Sequence, residues 1–182
     1  MTRIPYPSLD PNATGAGPQG QILNIQKMTK HLPEAIDRAF GTFSGSILWR
    51  GALPADLREL IIVRVGNLSK SIYELHHHEA FARHVGVSEA KLEGLRKIDT
   101  ASGPFSPLEH AVLVFVDEVV KNVRPSDAAL EGLQKHMPIG QILEVVAAVG
   151  CYMLVCRLLE TTGVQPDPVT IGFTPPSPPA RT

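Results

Sequence analysis

The sequence predicts an all-α fold, a compact domain built from several helices. Apolar residues recur at helical spacing through most of the 182 residues, and no stretch alternates apolar and polar residues as a half-buried strand does. Both ends differ in composition: Gly, Pro and Asn dominate residues 5–20, and prolines recur after Gln165. We therefore expect a loose N-terminal segment over 1–20, one helical domain over 21–163 and a Pro-rich tail over 164–182.

Start and stop signals give the predicted helices in order. Pro33 and Pro54 each precede a run with helical periodicity, and Ser106-Pro107-Leu108-Glu109 combines an N-cap, a first-turn proline and a capping-box glutamate. Gly163 is the predicted C-terminal stop of the last helix. The helices are expected over 21–31, 34–49, 55–68, 71–85, 88–96, 107–123, 126–136 and 139–162.

The last helix, 139–162, is apolar on most of its circumference. Such a helix runs through a core or a subunit interface, so we expect a homo-oligomer. Cys151 and Cys156 are five residues apart on this helix and point to well-separated faces. They are therefore expected to be free, buried thiols.

Charge and hydropathy exclude several classes of partner. Seventeen basic and eighteen acidic residues leave a formal charge of -1, which does not suit a nucleic-acid phosphate backbone or an anionic membrane. No apolar run is expected to reach the roughly 20 residues of a membrane helix, and the N-terminus lacks the apolar region of a secretory signal. The expectation is a soluble, cytoplasmic protein that binds a small molecule.

Three consecutive histidines, residues 76–78, are the first candidate functional feature. If residues 71–85 form one helix, its inward face carries Ser71, Glu74, His78, Phe81, Ala82 and Val85. His77 then lies at the edge of this face, whereas His76 points to solvent. His78 is therefore the strongest candidate of the three histidines.

Glu59 is the second candidate. It shares a face of the preceding helix with Ile62, Val63 and Gly66, where a carboxylate must find a partner or change its pKa. Arg58 and Arg64 are expected to be its exposed neighbours.

Structural interpretations of the same residues stay open. Ser71-Ile72-Tyr73-Glu74 also fits a capping box, in which Glu74 would only accept from the backbone amide of Ser71. An inward histidine is more often a hydrogen-bonded core residue than a catalyst, and Glu59 would then simply be its partner.

A metal site is not expected. Glu74-x-x-His77 has the spacing of di-iron helix bundles, but those sites need the motif twice, and the chain has no second copy. Residues 76–78 project about 100° apart, so they do not converge on one zinc ion.

At these residues the chain resembles the carboxymuconolactone decarboxylase family, which includes the alkylhydroperoxidase D-like proteins. The resemblance rests on LPADLRELIIVRVGNLSKSIYELHHHEAFARHVGVSEAKLEGL, with FSPLEHAVLVFVDEVV and ILEVVAAVGCYMLVCRLLETTGVQPDP after it, and covers about residues 20–168. It implies an all-helical fold of the alkylhydroperoxidase D-like type. It also implies dimers, trimers or hexamers with the active-site helix near a subunit interface.

The two branches of this family imply different chemistry. The peroxidase branch has Cys-x-x-Cys-x-x-x-His, and its cysteines fall on Ser71 and Glu74 while its relay glutamate falls on Glu59. A thiol cycle cannot run on a hydroxyl and a carboxylate. The lactone decarboxylase branch has Glu-Leu-x-x-His, similar to Glu74-Leu75-His76-His77-His78, and an Arg-Glu-Leu like that around Glu59.

The residues and the resemblance together predict a cofactor-independent lyase or isomerase of a small cyclic carboxylate or lactone. His78 would transfer the proton, oriented by Glu59 or Glu74, and one of the two glutamates would stay protonated near neutrality. Ser71, Tyr73, His77 and Phe81 are the predicted substrate-binding residues. Two alternatives are a redox protein that has lost its usual cysteines and a non-catalytic helical oligomer with a binding pocket.

Overall fold

The structure is a computed structural model and describes residues 2–17, 20–97 and 103–168. These residues form eight α-helices and no strand, which confirms the predicted all-α class. The helices are α1 Asn24–Thr29, α2 Glu34–Trp49, α3 Ala55–Ser69, α4 Ile72–His84, α5 Glu89–Arg96, α6 Pro107–Asn122, α7 Asp127–Gln134 and α8 Ile139–Thr162.

The helix boundaries follow the local signals in the sequence. Ser106 accepts a hydrogen bond from the amide of Glu109, whose side chain accepts from the amide of Ser106, so the predicted capping box forms. Gly163 ends α8 in the left-handed conformation at φ 70°. α1 is shorter than the predicted 21–31, because residues 21–23 and 30–31 lie outside the helix.

Helix α3 is the centre of the domain. It packs against α4, α5, α6 and α8, and ten consecutive residues from Leu57 to Gly66 are buried. A helix that is buried on every side has no solvent face for its polar residues. Any charged group on α3 must therefore find partners inside the fold.

Arg58 and Arg64 show this effect, and the expectation that they are exposed is wrong. Both are buried, since α3 is covered all round. The Arg64 guanidinium pairs with both carboxylate oxygens of Asp117 at 2.6 Å and donates to the carbonyls of Leu95 and Lys97. Arg58 donates from Nε to the Glu59 carboxylate at 3.3 Å.

Helix α8 packs along α3, with further contacts to α2, α6 and α7. By length and composition it is apolar enough to cross a membrane, so the expectation that no apolar run approaches 20 residues is wrong. Half of its most apolar window is buried in the domain, and the core helix of a soluble protein passes the same test.

One side of α8 exposes large apolar side chains. They recur at helical spacing and are Ile139, Leu143, Val146 and Leu154. On the neighbouring helix α2, Ile36 and Phe43 are exposed and only Ile47 is buried. These faces are compatible with the expected homo-oligomer, which stays a prediction.

The chain ends pack on the helices. The amides of Arg3 and Ile4 donate to the carbonyl of Thr162, and Val164 and Asp167 are buried beside α1 and α4. Residues 164–168 thus pack on the helices without forming a helix themselves. The rest of the predicted Pro-rich tail, residues 169–182, lies outside the described residues.

Candidate active site

A cavity of about 570 Å³ lies between α1, α2, α4, α8 and the N-terminal segment. Its walls are mainly apolar, with Trp49 from α2 and Val155 from α8 among them. The polar side chains that α4 and α8 contribute are Tyr73, Glu74, His77, His78 and Tyr152, and the charged residues Lys30, Asp37 and Arg38 also line the cavity. This combination of apolar walls and a few convergent polar groups is typical of small-molecule sites.

The close approach of α3 and α4 brings the polar residues together. At Gly66, a Cβ atom would lie 3.3 Å from Cβ of Glu74 and from Cδ2 of Leu75. The missing side chain therefore lets the two helices pack tightly. One result is that His78 on α4 faces Glu59 on α3.

His78 is held between two carboxylates. Its Nδ1 lies 2.7 Å from Oε2 of Glu59, and its Nε2 lies 3.4 Å from Oε2 of Glu74. Burial alone would lower the pKa of His78, but the Glu59 carboxylate and, less strongly, Glu74 reverse this and raise it. We call Glu59, His78 and Glu74 the buried triad.

Glu59 closes the triad on the side away from the cavity. Its side chain is 0% exposed and does not line the cavity. One oxygen accepts from His78 and the other from Arg58. Glu59 can therefore orient and charge the imidazole of His78 without contacting a ligand.

Glu74 lines the cavity while being only 3% exposed. It is not engaged in a capping box, because the amide of Ser71 donates to the carbonyl of Gly66 instead. Among the described residues, Oε2 has no hydrogen-bond partner. Burial, with a contribution from the Glu59 charge, raises the pKa of Glu74 to about 7 although His78 opposes this.

The three histidines have different surroundings. His76 is exposed, as predicted, and its Nε2 contacts the carbonyl of Asp167 at 3.1 Å. His77, expected at the edge of the face, is buried, and its Nε2 accepts from the amide of Asp167 at 3.2 Å. Burial, followed by the nearby His76 and His78, lowers the pKa of His77 to about 4.

The predicted substrate-binding residues divide into two groups. Tyr73 and His77 line the cavity, and their rings lie 4.3 Å apart. Ser71 and Phe81 are buried but are not among the lining residues. Phe81 instead packs edge-on against Trp49 at 5.5 Å and so supports the wall from behind.

Three residues near the cavity were not predicted from the sequence: Trp49, Tyr152 and Asp167. Tyr152 places its ring 5.1 Å from His78, edge-on, and burial raises its pKa well above the usual value. The sequence feature that could have indicated Tyr152 is the presence of a tyrosine within the apolar run of α8. No local pattern indicated Asp167, which reaches α4 from a non-helical segment.

The two cysteines are free and buried, as expected. Burial raises the pKa of Cys151 to about 11 and that of Cys156 to about 12, so neither is a thiolate near neutrality. Neither lines the cavity. Over residues 2–17, 20–97 and 103–168 no group of three His, Cys, Asp or Glu side chains is arranged to hold a metal ion.

Comparison with known families agrees with the resemblance seen in the sequence. Residues 34–117 match the model of the carboxymuconolactone decarboxylase family. This segment is therefore similar to that family. It spans α2 to α5 and much of α6, and so contains the whole buried triad. A search of curated protein sequences gave no match.

Solved structures show the same fold. A peroxidase-related protein from Ralstonia eutropha JMP134 with an alkylhydroperoxidase AhpD core has a TM-score of 0.76 at 21% identity, covering 92% of this chain and 93% of that chain. ATU0492 from Agrobacterium tumefaciens, a protein of unknown function, has a TM-score of 0.70 at 23% identity, covering 76% and 94%. The predicted alkylhydroperoxidase D-like fold is thereby confirmed.

A third structure of this fold contains a ligand. The debrominase Bmp8, in a variant form in complex with 2,3,4-tribromopyrrole, has a TM-score of 0.67 at 17% identity, covering 80% of this chain and 76% of that chain.

The raised pKa of Glu74 predicts how stability depends on pH. A carboxyl group whose pKa is raised by folding stabilises the protein below its unfolded value of about 4.5, and this contribution is lost as the pH rises through 7. Glu74→Gln removes the ionisation. Relative to wild type, the variant should become more stable as the pH rises, by roughly 3 kcal/mol in total.

Urea denaturation at pH 4.5 and pH 8 measures this difference. Glu93→Gln on α5 is the matched control, since Glu93 is exposed, and its stability relative to wild type should hardly change with pH. A Glu74→Gln variant whose relative stability is the same at both pH values would contradict a buried, protonated Glu74.

Proposed function

We propose that the chain is an enzyme that moves a proton to or from carbon without a cofactor, as a lyase or isomerase of a small cyclic carboxylate or lactone. The observation that supports this most directly is the buried triad at the cavity. It combines a histidine with a raised pKa and a carboxyl group with a pKa of about 7 on one wall. Acids and bases that titrate near neutrality are suited to proton transfer.

Each member of the triad has a separate task. Glu59 accepts from Nδ1–H of His78, which fixes the ring and supports its positive charge. The Nε2–H side of His78 and the carboxyl of Glu74 face each other at 3.4 Å, and both residues line the cavity. Either His78 or Glu74 can therefore donate a proton to a ligand, and the other residue can then return a proton to the donor.

For a decarboxylation, the bond between the ring carbon and the carboxylate breaks and CO₂ leaves. The electron pair passes into the adjacent unsaturated system as an enolate-like anion, which takes a proton on carbon from His78 or Glu74. Water then returns a proton to the enzyme. An isomerisation uses the same pair, first removing a proton from one carbon and then adding one to another.

The charges around the triad suit an anionic ligand when Glu74 is protonated. Arg58 and a protonated His78 carry two positive charges against the one negative charge of Glu59, all within a buried cluster. One positive charge is then left to attract an anion. When Glu74 ionises, that attraction is offset, so binding of an anion should weaken above pH 7.

The size and lining of the cavity support a small ring compound. A volume of about 570 Å³ with mainly apolar walls can enclose a ring, and Tyr152 and Trp49 offer aromatic surfaces to it. The debrominase of the same fold holds a small ring of this kind, 2,3,4-tribromopyrrole.

The proposed function predicts different activities for variants of the three histidines. His78→Gln should reduce turnover of lactone carboxylic acids by 10²-fold or more, because glutamine keeps a polar side chain but cannot carry a proton near neutrality. His77→Gln should have an intermediate effect, since His77 lines the cavity without contacting Glu59. His76→Gln is the matched control, and turnover should stay close to wild type.

The assay follows CO₂ release and ring absorbance over a panel of small lactone acids, with the melting temperature of each variant. Low activity per folded molecule only in His78→Gln is the expected result. A His78→Gln variant that melts at lower temperature but keeps full activity would make His78 a structural residue and remove the proposed mechanism.

The second prediction concerns the redox alternative. In the resemblance to the peroxidase branch, Ser71 and Glu74 fall on the positions of the two thiols of that branch. The thiols of Cys151 and Cys156 have raised pKa values, and neither residue lines the cavity. The protein should therefore consume no peroxide above background with a dithiol reductant. Robust peroxide consumption that disappears in Cys151→Ser or Cys156→Ser would establish a redox centre on α8 instead.

A further inference from the structure

Asp167 connects the C-terminal segment to the cavity wall. It lies beyond α8 in the sequence, yet it is only 2% exposed. Its carboxylate accepts from the amide of Asn24 at 3.0 and 3.1 Å and from the hydroxyl of Tyr73 at 2.8 Å. Its own amide donates to His77, and its carbonyl contacts His76. One residue thus contacts three side chains of α4.

We propose that Asp167 is a positioning residue of the site, which fixes the Tyr73 hydroxyl and the ring of His77 so that the cavity wall beside Glu74 and His78 stays ordered and uncharged. Nothing in the local sequence around Asp167 indicated such a role. The inference rests on the proposed function only in taking this cavity as the ligand site.

The bond to His77 determines where that ring carries its proton. A backbone amide can only donate, so Nε2 of His77 must be the acceptor, and the neutral ring then carries its proton on Nδ1. The Asp167 carboxylate is 3.6 Å from the same nitrogen but already accepts from Tyr73 and Asn24. The amide is therefore the group that sets the tautomer.

A neutral His77 matters because it neighbours His78 on the cavity wall. Both histidines line the cavity, and a second positive charge there would compete with His78 for the proton of the triad. Asp167 covers His77 and accepts from Tyr73 at the same time. It thereby keeps one histidine out of the proton chemistry and leaves that role to the other.

The same contacts assign the three consecutive histidines to different partners. His76 contacts the carbonyl of Asp167, His77 accepts from its amide, and His78 pairs with Glu59. Two of the three histidines therefore hold the C-terminal segment, and one serves the triad. The pattern of inward positions on α4 predicts His78 as the candidate, but it does not predict that His76 and His77 contact Asp167.

The test is an NMR titration of the histidine side chains in the full chain, with each signal assigned through its His→Gln variant. In wild type, His77 should be a single neutral tautomer protonated on Nδ1 that titrates near pH 4. Asp167→Ala removes the carboxylate contacts to Asn24 and Tyr73 that hold the segment in place, so the amide of residue 167 should no longer stay against Nε2 of His77. Both tautomers should then be populated, and His77 should lose burial and titrate closer to the ordinary pKa of about 6.5. His78 should keep its raised pKa, because Glu59 is unchanged.

Asp127→Ala, an exposed aspartate at the start of α7, is the matched control and should leave His77 unchanged. If Asp167→Ala does not fold, Asp167→Asn is measured, and a smaller change of His77 in the same direction is expected. A fall in melting temperature with an unaltered His77 tautomer and titration would overturn the proposal, as would an equal change of His78. The readout needs no substrate, so a wrong assignment of the reaction would leave it unaffected.

Discussion

The buried carboxylate of Glu59 is the constraint on which the rest of the site depends. It sits on the central helix α3 with no exposure to solvent, and taking a charge out of water costs several kcal/mol. The fold can hold it there only because Arg58 and His78 contact its two oxygens. The charge in turn raises the pKa of His78 at a depth where burial alone would lower it.

The other features of the site follow from that arrangement. α4 must approach α3 closely for His78 to reach Glu59, and Gly66 provides the space. Glu74, one helical turn before His78, is carried into the same buried region, where two carboxylates cannot both ionise easily. Tyr152 on α8 then closes the cluster and faces the cavity with it. Packing and proton affinity are therefore set by the same contacts.

Much of this could be predicted from the sequence, because helical spacing and capping signals are local. The inward positions of Glu74 and His78, the candidacy of Glu59 and nearly every helix boundary came from these signals. The surroundings of Arg58 and Arg64 could not be predicted in the same way. Periodicity indicates which face of a helix is apolar, but not that α3 is covered on all sides.

Long-range contacts account for the remaining differences. His77 is more buried than its edge position suggested because Asp167, 90 residues away in sequence, packs over it. Similarly, Ser71 shares the inward face with His78, yet it points into the core and does not line the cavity. Which inward residues line a cavity depends on α2, α8 and the chain ends, and spacing within α4 contains no information about them.

The central claim is that Glu59 sustains the charge of His78, and titration of His78 by NMR in wild type and in Glu59→Gln tests it most directly. Wild type should show a pKa above the ordinary value of about 6.5. In Glu59→Gln the pKa of His78 should fall, because burial is then opposed only by the weaker effect of Glu74. A His78 pKa that is below 6.5 in wild type, or that is the same in both proteins, would contradict the account.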